Sequence, residues 1–201
     1  MRATISWFPA LIVLIMTLIG ALLTALVVAR EWERGTLEAL FVTPVRPDEI
    51  LLSKIIPYFG LGVVGLTLCL LSARFLFDVP FRGSLWIVTG ASLLYLIVAL
   101  GLGLLISSAV KAQFVAGLIT VLVAFLPALM LSGFIFDLRS LPTAVRLLTY
   151  LFPARYYVAL LQTALMAGDI WPDILPNAAM LAACAIVLLG LTRASTKKQL
   201  A

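Results

Sequence analysis

Three observations predict an all-α polytopic membrane protein of about five transmembrane helices. Of 201 residues, 64% are hydrophobic and only 11% charged, well under the roughly 25% charge of an ordinary globular chain. The mean hydropathy is +1.19. Five apolar runs, at 7–29, 55–77, 86–106, 114–133 and 174–192, reach or approach the ~20 residues that cross a bilayer. The segments between them leave no room for a second, soluble domain, so 1–201 reads as a single transmembrane domain.

Composition also narrows the function. The net charge of +5 is dispersed, apart from Arg193, Lys197 and Lys198 near the end, and a tail facing anionic lipid accounts for it better than nucleic acid does. No histidine is present, which removes the commonest metal ligand and proton shuttle. Cys69 and Cys184 lie inside apolar runs and read as small buried hydrophobes.

The first run, Trp7 to Ala29, carries no charge after Arg2. Val27-Val28-Ala29 resembles a signal cleavage site, but signal cores hold only about 7–15 apolar residues, so a retained span is expected. Ala21, Ala25 and Ala29 recur along it; they are either common small residues or a smooth ridge for close helix packing. The polar stretch Arg30 to Pro57 follows, with five of the nine carboxylates and four of the fourteen Lys and Arg. The second run, 55–77, is charged only at Arg74. A charge at a helix centre costs about 2.5–3.5 kcal/mol on insertion scales, which places Arg74 near a membrane face with its side chain snorkelling.

Asp78 to Ser84 fits a short turn, and the third run, Trp86 to Ile106, leads into another small-residue ridge, Ala99, Gly103 and Ser107. The connection Ser107 to Gln113 carries only Lys111. The fourth run contains Pro127, which leaves a carbonyl unpaired and predicts a kink. Residues 134–173 are apolar but broken by Asp137, Arg139, Arg146 and Arg155, so no piece of them spans. Leu138, Leu141, Val145 and Leu148 follow helical spacing, with Ser140 as N-cap and Pro142 in the first turn. Pro153 breaks that helix, and a second is expected from Ala154 to Ala167 with Gly168 as its stop. Tyr150, Phe152, Tyr156, Tyr157 and Trp171 suit an interfacial aromatic belt. The expectation is two short external or re-entrant helices, then a fifth span from Ile174 to Thr192.

An odd number of spans puts the termini on opposite sides. The segment 30–54, the Lys111 loop and the C-terminal tail then share a side with eight Lys and Arg against six, and the positive-inside rule makes that side cytoplasmic. The N-terminus falls outside, which is expected of a chain that lacks something upstream.

Within Glu31 to Phe41, Trp32, Leu37, Leu40 and Phe41 occupy about half of a helical wheel, with Glu31, Arg34 and Glu38 opposite and Glu33 out of place. Thr43-Pro44 and Arg46-Pro47 then stop a helix. This describes a short amphipathic helix on the inner membrane surface; a solvated loop of mixed charge fits the same pattern.

The string EWERGTLEALFVTP resembles the signature of ABC type-2 permeases, the membrane subunits of ATP-driven exporters. The matching positions are Glu31, Glu33, Gly35, Thr36, Glu38, Leu40, Thr43, Pro44, Glu49 and Lys54, with Ser53 where the family usually has Gly. A second stretch resembles the family's extracellular segment before its last span, through Ser132-Gly133-Phe134, Leu141-Pro142, Pro153, Arg155-Tyr156 and Gly168. Asp137 stands for a usual Pro and Gln162 for a frequent Arg. The resemblance covers nearly the whole chain and lacks the family's amino-terminal span and external domain.

The resemblance implies that Glu31, Glu33, Arg34, Gly35, Thr36, Glu38, Leu40, Thr43 and Pro44 couple the chain to a cytosolic ABC ATPase. It implies pairing with a second permease subunit as a homo- or heterodimer, in a cytoplasmic or inner membrane. Pro142, Pro153, Arg155 and Tyr156 would shape the external helical segment. No G-x-x-x-x-G-K-[ST] phosphate loop occurs in the chain, so no cofactor is expected on it, and ATP and Mg would sit in the partner. An intramembrane enzyme would need a His, Ser-His or paired-Asp constellation that the spans lack. A secondary carrier usually keeps ionisable groups within the membrane and repeats its fold, and neither trait is visible. A non-transporting scaffold or a truncated, inactive permease has the same composition, and only the signature argues against it.

Overall fold

The computed structural model describes residues 2–35, 47–75, 83–110, 112–131 and 149–198. They form six helical rods. Helix α1 runs Arg2–Thr17, widens to a π-helical Leu18–Leu23 and resumes over Thr24–Glu33. Helix α2 is Pro47–Phe75, and α3 is Leu85–Ala109. Helix α4 runs Gln113–Thr120, passes through a π-helical Val121–Phe125 and ends with Leu126–Leu131. Helix α5 is Pro153–Gln162 with a π-helical close, Thr163–Ala167, and α6 is Trp171–Lys198.

Five of these rods are long and apolar enough to cross a bilayer: Phe8–Glu33, Leu52–Phe75, Leu85–Ala109, Gln113–Leu131 and Trp171–Ser195. The chain is an all-α, multi-pass membrane protein. The helix expected from Leu138 to Leu148 lies outside the described residues.

Helix α3 is the axis. In its apolar window 61% of residues are buried, against 50% in α1, 22% in α4, 17% in α6 and 11% in α2. The rods therefore surround α3, and α2, α4 and α6 turn most of their surface outward. Without water to drive apolar burial inside a bilayer, contact depends on how closely backbones approach. The two small-residue ridges meet for that reason. A methyl group on Gly20 would stand 2.6 Å from the Ala99 methyl, and one on Gly103 would stand 2.5 Å from the Ala21 carbonyl oxygen. Ala25, Ala29 and Ser107 are buried along the same seam. On the opposite side of α3, the Thr192 hydroxyl of α6 lies 2.7 Å from the Leu188 carbonyl and 3.2 Å from that of Gly101. The Ser108 hydroxyl donates to the Leu105 carbonyl at 2.8 Å and lies 3.2 Å from the Ser195 hydroxyl.

Three expectations need correction. Glu31 to Phe41 is not one helix, because α1 continues through Glu33 and stops there. The Arg34 amide bonds the Arg30 carbonyl, the Gly35 amide bonds that of Trp32, and Gly35 adopts φ 71, the left-handed geometry that ends helices at glycine. Pro47 does not stop a helix but begins α2, since its missing N–H and preset φ suit a first helical position. Tyr157 is no member of an interfacial belt: it is fully buried, because α5 dips into the bundle and packs on α1, α3, α4 and α6. Tyr150 and Trp171 are exposed.

Arg74 sits exposed in the last turn of α2, where a guanidinium can reach a membrane face. At Pro127 the fourth span is not broken; the π-helical turn immediately precedes it, a common accommodation where the regular hydrogen-bond ladder is interrupted.

Candidate functional site

Two regions gather the polar groups, one near the C-terminal end of α1 and one around the start of α5. At the end of α1, Trp32 is buried against Val28, Leu104 and Ile55, which orients the last turn toward α2 and α3. Nearby carboxylates then point to different neighbours. Glu31 meets Lys54 of α2, with Lys54 Nζ 2.6 Å from each carboxylate oxygen. Glu33 Oε2 accepts the Gln113 backbone N–H at 3.0 Å, one of the amides that the first turn of a helix leaves without an intrahelical partner. A carboxylate there also faces the positive end of the helix dipole. One turn of α1 thereby ties α2 and the start of α4.

Of the expected coupling residues, the structure brings Glu31 and Glu33 into this knot. Arg34 and Gly35 lie beside it as the cap that turns the chain away. Thr36, Glu38, Leu40, Thr43 and Pro44 fall within 36–46, outside the described residues. Sequence reasoning reaches Lys54 only as a motif match and Gln113 only as the end of a connection. No spacing rule connects Glu31 with Lys54, since they meet only because α1 and α2 are antiparallel neighbours.

At the second region, Pro153 occupies the first turn of α5. Arg155 lies 3.6 Å over the Tyr150 ring and donates through Nη1 to the Thr149 hydroxyl. Tyr156 donates to the Tyr150 carbonyl at 2.9 Å. These three contacts fold the preceding turn back onto the helix. Pro142 lies outside the described residues.

A buried polar chain runs between α1, α3 and α5. Tyr157 donates to the Ser92 hydroxyl at 2.7 Å, which donates in turn to the Val88 carbonyl at 2.7 Å. The Tyr157 ring stacks on Tyr95 with centroids 4.2 Å apart. The Tyr95 hydroxyl lies 2.7 Å from Thr17 Oγ1. Thr17 donates its one proton to the Val13 carbonyl at 2.7 Å, so Tyr95 is the donor between the two hydroxyls. Sequence reasoning passes over Thr17, Ser92 and Tyr95. The available signal is two polar groups, Ser92 and Tyr95, on one face of an apolar helix.

Among the described residues, no three His, Cys, Asp or Glu come together as a metal site. The buried polar side chains described, other than tyrosine, are serines and threonines. The arrangement can hold helices together.

Comparison with known proteins identifies the lineage. Residues 3–193 match the family described as ABC-2 family transporter protein. The chain is 48% identical over 192 residues to the "Probable multidrug ABC transporter permease YbhS" of Escherichia coli K12, covering 96% of this chain and 51% of that protein. It is 35% identical over 154 residues to the "Probable multidrug ABC transporter permease YbhR" of the same organism, covering 76% and 42%. With the "Inner membrane transport permease YhhJ" of that organism it shares 30% over 181 residues, covering 85% and 47%. The chain thus spans about half the length of the curated relatives it matches. No solved structure gives a significant match. With the family matched across nearly its full length, and with the five spans in place, the chain belongs to the ABC-2 transporter family.

Proposed function

We propose that the chain is a membrane-spanning permease component of an ABC exporter, driven by ATP hydrolysis in a separate cytosolic subunit. The observation that carries this reading is the knot at the end of α1. Glu31 and Glu33 bind α2 and the start of α4, and the chain leaves that knot at Gly35 for the rest of the signature. A subunit that grips residues 36–46 would move three spans together. The ATPase partner would bring ATP and Mg.

A second permease half would cover part of the outward apolar surface. The name of one relative, an inner membrane transport permease, supports an inner-membrane setting for the assembly. Two relatives carry the word multidrug in their names. No charged side chain is buried among the described residues, which fits cargo that is apolar or amphipathic. A passive scaffold would have no use for a rigid knot beneath a docking segment.

The test is Glu38→Arg, co-expressed with the candidate ATPase. Membrane insertion is expected to be unchanged while co-purification of the ATPase falls and ATP-dependent export is lost. Unchanged capture and transport would overturn the reading.

A further inference from the structure

Between helices α2 and α3, toward the membrane face opposite Glu31 and Lys54, lies a groove of about 730 Å³, within the ~300–1,000 Å³ range of small-molecule sites. Its walls are Val63, Leu66 and Leu70 of α2 with Leu93 of α3. Along α3 the lining runs from Leu85 to Leu93 and along α2 from Phe59 to Phe75, rises of about 12 and about 24 Å at 1.5 Å per residue, so the groove is deep enough for an acyl chain that fills the ~15 Å of one hydrocarbon leaflet. At the mouth stands Arg74, on an exposed last turn where the head group layer would lie.

We propose that this groove holds one anionic phospholipid, with an acyl chain between α2 and α3 and its phosphate on the Arg74 guanidinium. Water gains little in a cleft whose walls are mostly hydrocarbon, with Thr67 and Thr89 as the lining hydroxyls and that of Thr67 already spent on the Val63 carbonyl, whereas an acyl chain fills it at little cost in hydrogen bonds. The planar guanidinium binds phosphate oxygens in pairs. No carboxylate lines the groove among the described residues. The adjacent Asp169 carboxylate is held by the Ser84 amide at 2.8 Å, where it closes the α3 end. A methyl group on Gly83 would run into the Ala164 carbonyl, so this corner of the mouth is already packed to backbone contact. The proposal depends on the five-span fold and not on export.

The test is lipid retention by the purified chain, exchanged into micelles holding equimolar phosphatidylglycerol and phosphatidylcholine and then washed. About one phosphatidylglycerol per chain is expected to remain. Arg74→Gln should retain about fivefold less, the effect of one basic group beside anionic head groups. Val63→Trp, which narrows the groove, should retain less than the parent while keeping the monodisperse elution that shows it is folded. Arg193→Gln, at the opposite face, should retain as much as the parent. Equal retention of the two lipids, or equal loss in Arg74→Gln and Arg193→Gln, would overturn the proposal. So would a photoreactive group at Thr89 that forms its adduct with protein instead of lipid.

Discussion

Among single residues, the Glu31–Lys54 pair is half-buried, with side-chain exposures of 27% and 19%. Such a pair contributes through its geometry more than through raw Coulomb energy, and exposed pairs are worth only ~0.2–1 kcal/mol. Glu31→Lys places two ammonium groups together and should lower the unfolding temperature in detergent. The swap Glu31→Lys with Lys54→Glu should recover most of that loss, and a double-mutant cycle on thermal unfolding reads the coupling. Gly103 is less forgiving. Its substituent would meet backbone, the Ala21 carbonyl at 2.5 Å, so Gly103→Val should cost about 1–3 kcal/mol as an overpacked seam. Gly101→Ala has 3.4 Å to its nearest neighbour and should be nearly neutral in the same assay.

Among the elements, α5 depends on Tyr157 for its depth in the bundle. Tyr157→Phe removes one donor from Ser92, whose own proton still reaches Val88. A loss of about 1 kcal/mol is expected, the net worth of one hydrogen bond. Tyr157→Ala also removes the ring stacked on Tyr95 and should cost about 3–5 kcal/mol. Protease sensitivity of the segment around Pro153 then rises if α5 leaves the bundle, and unchanged cleavage in Tyr157→Ala would count against the buried position. The end of α1 offers a cleaner case. Gly35 has open space around it, yet φ is +71, so Gly35→Ala is strained by backbone conformation alone, at about 1–2 kcal/mol. Gly35→Asn should be milder, because Asn tolerates the left-handed region. ATPase capture in the two variants, if it follows that order, ties coupling to the angle at which the chain leaves α1.

For the molecule as a whole, the rods place Ala112 and Trp171 at opposite ends of the bundle. Ala112 lies between α3 and α4 beside the Glu33 knot, and the exposed Trp171 begins α6, next to the Asp169 that holds the Ser84 amide at the start of α3. In a background with Cys69 and Cys184 replaced, Ala112→Cys should label only from the cytoplasmic side. Trp171→Cys should label only from outside; labelling of both from one side would break the five-span arrangement. The asymmetry of burial around α3 has a second consequence. With α2, α4 and α6 turned outward, the described chain is only partly enclosed by itself, and its remaining contacts must come from lipid or other protein.

The five spans, the small-residue ridges, the Gly168 stop with its φ of 97 and the polar segment between the first two runs were all legible in the order of residues. Each is a local property, carried by hydropathy, spacing or one residue's backbone freedom. Other features required the packed bundle: Ala21 facing Gly103, Glu31 and Glu33 pulling on different helices, and Tyr157 buried while Tyr150 is not. Those pairings depend on how antiparallel rods register against one another. In lipid, that register comes from close backbone approach and a few hydrogen bonds, which hydrophobic periodicity along a single helix does not encode.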